Sequence, residues 1–121
     1  MTVIGLDFVA LQVSDLERSA AFYERELGLK RAPFSPPHAV VYATEPIPFA
    51  LREPLPGVDL TAGPAGLGVA LWMLADDSAT LHASLVSHGI TIASPPVEGP
   101  FGLTFSLVDP DGYVITVHDK A

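Results

Sequence analysis

The sequence predicts an α+β fold built from two like modules, each a strand, a helix and three further strands, and three observations carry that expectation. The hydrophobic period changes from that of a strand to that of a helix and back again. The same change is written a second time at a spacing of about sixty residues. Between the two occurrences, Glu53 to Gly68 is rich in proline and glycine and reads as a joint.

The elements follow in order. Val9, Leu11 and Val13 alternate with Phe8, Ala10 and Gln12, so the first strand has two different faces. Ser14-Asp15-Leu16-Glu17 fits a capping box with Ser14 as N-cap, and Leu16, Ala20, Tyr23 and Leu27 recur at helical spacing. Gly28 stands where a left-handed residue ends a helix. Short strands are expected at Leu29–Ala32, His38–Thr44 and Pro48–Glu53. After the joint, Gly68–Ala75 reads as an apolar strand and Asp76-Asp77-Ser78 as N-cap chemistry. Leu81, Leu85 and His88 share a helix face, and Gly89 closes that helix. Strands at Ile90–Ala93, Leu103–Val108 and Tyr113–His118 complete the second module, the last two joined by the turn tetrad Asp109-Pro110-Asp111-Gly112. Module one covers about residues 1–56 and module two about 66–121, a single domain in which two halves share one curved sheet, helices outside and a concave face inside.

Composition narrows the function. The chain has 121 residues, 49% hydrophobic and 17% charged, enough to bury a core. It has no cysteine, which removes disulfides, thiolate nucleophiles and Cys-ligated metals together. A net charge of -8 repels phosphate backbones and argues against a nucleic-acid partner, while it would draw in cationic small molecules. The longest apolar run is too short to span a bilayer, and Met1 to Val13 has neither a basic start nor a small-residue cleavage site. No membrane partner and a cytoplasmic location are expected.

Phe8 to Tyr23, then Glu26-Leu27-Gly28-Leu29, and finally Asp109-Pro110-Asp111-Gly112-Tyr113-Val114-Ile115 stand in an order and spacing that resemble the vicinal oxygen chelate superfamily, which includes glyoxalase I, extradiol dioxygenases and bleomycin-resistance proteins. The resemblance spans essentially the whole chain. It implies paired βαβββ modules forming a half-open barrel around a cleft. In the enzymes of the superfamily, His, Gln or Glu side chains on the first and last strands hold a divalent metal that stabilises an enolate-like charge. Here those positions carry Phe8, Ala70 (Val69 or Gly68 if the register slips), Thr116 and, in the fourth strand of the first module, Ala50. Phenyl and methyl groups offer no lone pairs, and one threonine hydroxyl is a poor ligand. No metal and no cofactor are therefore expected. His82 and His88 point about 240° apart on their helix and cannot share an ion. His38 lies in a proline-flanked loop, and only His118 shares a face with Thr116.

Alternation assigns Phe8, Ala10 and Gln12 of the first strand, and Ala70, Trp72 and Leu74 of the second module, to the cleft. With Ala50, Arg52, Thr116 and His118, all of these except Leu74 are the candidate ligand-binding residues. Phe8 and Trp72 either hold a flat ligand beside small neighbours or simply fill the barrel. Arg52 either pairs with a ligand acid, Glu53 or Glu98, or stays solvated. Three functions follow. The leading one is a metal-free binding protein that sequesters a planar or cationic compound such as an antibiotic, as resistance members of the superfamily do. The second is a divergent lyase, isomerase or dioxygenase-like enzyme using His118, Tyr42 or an acid as acid/base. The third is an interaction module with a collapsed cleft. Open strand edges about a flexible joint, and the habit of the superfamily, lead to a homodimer, with module exchange open to it.

Overall fold

A computed structural model describes residues 1–121, in two units, Met1–Leu60 and Thr61–Ala121. In the first, the alternating segment becomes β1 (Val9–Gln12), followed by α1 (Leu16–Arg25), β2 (Ala39–Tyr42) and β3 (Phe49–Arg52). β3 lies between β1, to which it runs parallel, and β2, to which it runs antiparallel. The N-cap of α1 is Asp15, one residue later than the capping-box reading: its carboxylate accepts from the Arg18 amide at 3.1 Å. Ser14 instead accepts from the Arg18 guanidinium at 2.9 Å. Gly28, at φ 73°, ends the helix as expected, and the Leu29 amide reaches back to the Tyr23 carbonyl at 3.1 Å.

The helix side of this sheet is the core of the unit. Leu11, Val40, Tyr42, Phe49 and Leu51 are buried there with Ala20, Phe22 and Tyr23. Each of the leucine, valine and phenylalanine side chains contributes roughly 1.5–3 kcal/mol by leaving water. The ring of Phe49 lies 5.3 Å from that of Tyr23 and 6.3 Å from that of Tyr42. Tyr42, a candidate acid/base of the enzyme reading, is thus a core residue on the helix side. Its hydroxyl donates to Glu24 at 2.9 Å, and burial, then that bond, push its pKa up, away from any acid/base use near neutrality.

Arg31, bonded to Glu24 at 3.1 Å, holds the Glu24 carboxyl below its usual range despite partial burial. A depressed carboxyl stabilises the fold above its unfolded pKa and loses that contribution as pH falls through its folded value. Glu24→Gln should therefore flatten the acid side of the stability profile, as read by urea denaturation on either side of the carboxylate range.

The expected strand at Leu29–Ala32 is reduced to one bridge, Arg31 to Tyr42. Pro33, Pro36 and Pro37 follow it, and proline cannot donate to a ladder. His38 does not begin β2; it takes φ 65°, and its ring bonds the Glu53 carboxylate.

The second unit holds β4 (Leu71–Leu74), α2 (Ser78–Ser87), β5 (Ile92–Gly99), β6 (Gly102–Val108) and β7 (Val114–His118). The sheet order is β4-β7-β6-β5, with β4 and β7 parallel and the other pairs antiparallel. Asp77 caps α2, accepting from the Thr80 amide at 3.0 Å, and Gly89 closes it at φ 74°. Leu85, Phe105, Leu107, Ile115 and Val117 make the core on the helix side. The turn into β7 forms as its tetrad predicts: the buried Asp109 carboxylate accepts from the amides of Asp111 at 2.9 Å and Tyr113 at 2.8 Å.

β5 departs from expectation. It runs to Gly99 through Pro95 and Pro96, because it is an edge strand whose pairing with β6 shifts register twice, and its outer side needs no donors. The α+β class and the repeated strand–helix–strand order are present, with two helices and seven strands in two open sheets. No helix is long and apolar enough to cross a membrane.

Candidate functional site

In the first unit the candidate residues lie on the sheet face turned away from α1, as strand alternation requires. Register pairs Ala10 with Ala50 and Gln12 with Arg52, so these four share one face. Ala10 is exposed, whereas Ala50, in the central strand, is buried. Gln12 is half-buried and its side-chain oxygen accepts from the Leu55 amide at 2.8 Å, so its carbonyl serves the chain leaving β3. Arg52 is half-buried and donates from Nε to the Glu53 backbone carbonyl at 3.1 Å. The Glu53 carboxylate bonds His38, so of the partners open to Arg52 this one is engaged elsewhere. Phe8, just before β1, is 58% exposed.

The second unit gathers more chemistry. Trp72 pairs in register with Thr116, and Thr116 with Ser106, which puts one row of side chains across β4, β7 and β6. The two hydroxyls of that row are bonded at 3.0 Å. One of them must donate, which leaves the other hydrogen for a further acceptor. Trp72 is 52% exposed, on the face opposite the core residues Phe105, Ile115 and Val117. His118, two residues beyond Thr116, places its ring 5.6 Å from the indole. Phe101 completes the group, its ring 5.9 Å from both Trp72 and His118. All three contacts are edge-to-face, with interplanar angles of 65° to 79°, the geometry that the ring quadrupoles favour. Ala70, one residue before β4, is exposed nearby in sequence and makes no part of this group.

Phe101 and Ser106 are absent from the residues that patterning singles out. Ser106 was legible, since it alternates with Phe105 and Leu107 and so must face away from the helix. Phe101 sits at the tip of the β5–β6 hairpin between Pro100 and Gly102, where period carries no information; only an aromatic residue between turn formers hints at it, and the structure leaves it half exposed. A latch holds it in place. The Lys120 amide donates to the Phe101 carbonyl at 3.0 Å, and the Asp119 carboxylate accepts from the amides of Leu103 at 2.9 Å and Ser78 at 3.3 Å. The segment after β7 thus ties the hairpin tip to the start of α2.

The sequence pattern of the Glyoxalase/Bleomycin resistance protein/Dioxygenase superfamily matches residues 5–117. The chain belongs to this superfamily. Solved structures share its fold. One is TnmS3, an antibiotic binding protein from Streptomyces sp. CB03234, with 24% identity over 100% of this chain and 99% of that one and a TM-score of 0.76. A glyoxalase/bleomycin resistance protein from the same organism matches at 24% identity over 95% and 100%, TM-score 0.74. A glyoxalase-related enzyme from Fulvimarina pelagi matches at 24% over 98% and 89%, TM-score 0.75. Among curated proteins none matches the chain.

Within the superfamily the donor set is the telling difference. The positions that the resemblance assigns to the enzymes' divalent metal hold Phe8, Ala50, Ala70 and Thr116, and the Thr116 hydroxyl is engaged by Ser106. No three His, Cys, Asp or Glu side chains stand close enough together to hold an ion. These residues do not fit the metal of the glyoxalases and dioxygenases.

Proposed function

We propose that this member of the glyoxalase/bleomycin resistance superfamily is a metal-independent binding protein that sequesters a planar small molecule, with cationic compounds and antibiotics the first class to try. The observation that carries the reading is the Trp72–Phe101–His118 group on the open face of the second sheet, beside the Ser106–Thr116 hydroxyls. Aromatic plates with a few polar groups suit a flat ligand, and the indole face suits a cation. The net charge of -8 adds long-range attraction for positive ligands. The antibiotic-binding relative of similar fold supports the same class. Phe8, Ala10, Gln12, Ala50 and Arg52 in the first unit, and Ala70 before β4 in the second, are further ligand-binding candidates of this proposal, each to be tested in its own unit.

Thermal unfolding with divalent metals, EDTA and planar antibiotics tests it, because a ligand that binds only the native state raises the melting temperature. The expected result is a rise with at least one planar compound and none with any metal or with EDTA. Stoichiometric metal in untagged protein, or metal-independent turnover of a compound that binds, would move the protein to the enzyme reading.

We also propose that it works as a cytoplasmic homodimer. Met1, Val3, Ile4 and Leu6 are strongly exposed, an apolar segment that a second copy would cover. Light scattering at micromolar concentration should return twice the chain mass. A monomer there would falsify this.

A further inference from the structure

We infer that His118 makes the aromatic site selective for planar molecules that carry an O–H or N–H donor at the ring edge, the phenol and hydroxyquinone class, over hydrocarbons and ethers of the same shape. The inference rests on the binding reading above and says what that site recognises.

The reasoning starts at the backbone. The Lys120 carbonyl lies 3.0 Å from His118 Nδ1. A carbonyl oxygen can only accept, so Nδ1 carries the hydrogen, and in the neutral imidazole Nε2 then holds the lone pair. The tautomer is set by rigid neighbours. The Lys120 amide is bonded to Phe101, and Asp119 between them holds Leu103 and the first residue of α2. The ring is wedged edge-to-face against Trp72 and Phe101, whose planes are inclined to it at 65° and 79°. Phenyl has no donor, and the indole N–H makes no bond to the imidazole. Nε2 is therefore an oriented acceptor at the rim of two aromatic plates.

A ligand lying against Trp72 or Phe101 meets that lone pair with its edge. A hydroxyl or N–H there gains a hydrogen bond in a setting partly screened from water. An ether or bare ring edge leaves the acceptor desolvated and unmatched, and that asymmetry is what discriminates. The neighbouring Ser106–Thr116 pair, with one hydrogen to spare, suits a carbonyl on the same molecule.

The experiment follows the single indole N–H of Trp72 in proton–nitrogen correlation spectra of the full chain at neutral pH while β-naphthol or its methyl ether is added. The probes share one plate and differ in the hydroxyl hydrogen. The expected result is about three- to tenfold tighter binding of β-naphthol, the size of one net hydrogen bond. His118→Asn, whose amide can keep the bond to the Lys120 carbonyl but places nothing at Nε2, should bring the two probes to equal affinity. His118→Gln, which can return an acceptor near the Nε2 position, should restore part of the preference. Equal affinities in the wild-type chain overturn the inference and leave the binding reading standing. A preference that survives in His118→Asn also overturns it, since the donor is then read elsewhere. If neither probe moves the indole signal, the binding reading itself falls. The dispersion of the same spectra shows whether each variant is folded.

Discussion

Gly102→Ala is expected to lower stability by roughly 2–4 kcal/mol, from two causes that act together. Gly102 opens β6 at φ 83°, a left-handed conformation that costs a non-glycine residue about 1 kcal/mol or more. A Cβ at this position would also collide with the Asp119 carboxylate and press within 3.1 Å of the Lys120 amide. The carboxylate can yield only by leaving the amides of Leu103 and Ser78, two charge-assisted bonds in partly buried surroundings. Urea denaturation measures the loss. Asp119→Asn, which keeps the side-chain shape but weakens both bonds, should lose part of the same energy without the backbone term. A loss below about 1 kcal/mol in Gly102→Ala would mean that the carboxylate swings aside and keeps its partners. Because the latch also positions Phe101, the folded fraction of Gly102→Ala should bind planar ligands more weakly.

Trp72→Ala should separate binding from folding. The indole is 52% exposed and lies across the sheet from the core, so its removal should cost less than about 1.5 kcal/mol of stability, well under a fully buried aromatic. Its loss should weaken a stacked planar ligand by roughly 1–3 kcal/mol, the upper end for a cation over the indole face. Denaturation and calorimetric titration of one variant give both numbers. A stability loss of roughly 3–5 kcal/mol with affinity unchanged in the folded fraction would identify the indole as core filler.

Much of the fold was legible because local rules and tertiary needs agree. Gly28 and Gly89 both take the left-handed conformation that ends a helix, Asp77 accepts the amide its N-cap position predicts, and Gly112 takes the positive φ of its turn tetrad. Leu11 and Val13 are buried on the side of α1, while Ala10 and Gln12 are not, as alternation requires. The cap lies one residue beyond the place the capping-box pattern gives it, because Ser14 and Asp15 both offer an oxygen and only the turn geometry decides which one meets the Arg18 amide.

What the sequence by itself determined is the class of the fold and its repeat, since periodicity needs no neighbours to be read. Tertiary structure alone decided that Tyr42 is core and His118 is not, although each is a titratable residue on a short strand. It also carried β5 through Pro95 and Pro96, since only a strand with an unpaired outer edge can spare their donors. The aromatic group itself belongs to that level. Trp72, Phe101 and His118 are far apart in the chain and meet because β4 pairs with β7 and the Asp119 latch draws the hairpin tip alongside, a juxtaposition that pairing and hydrogen bonds over long loops create and no local pattern records.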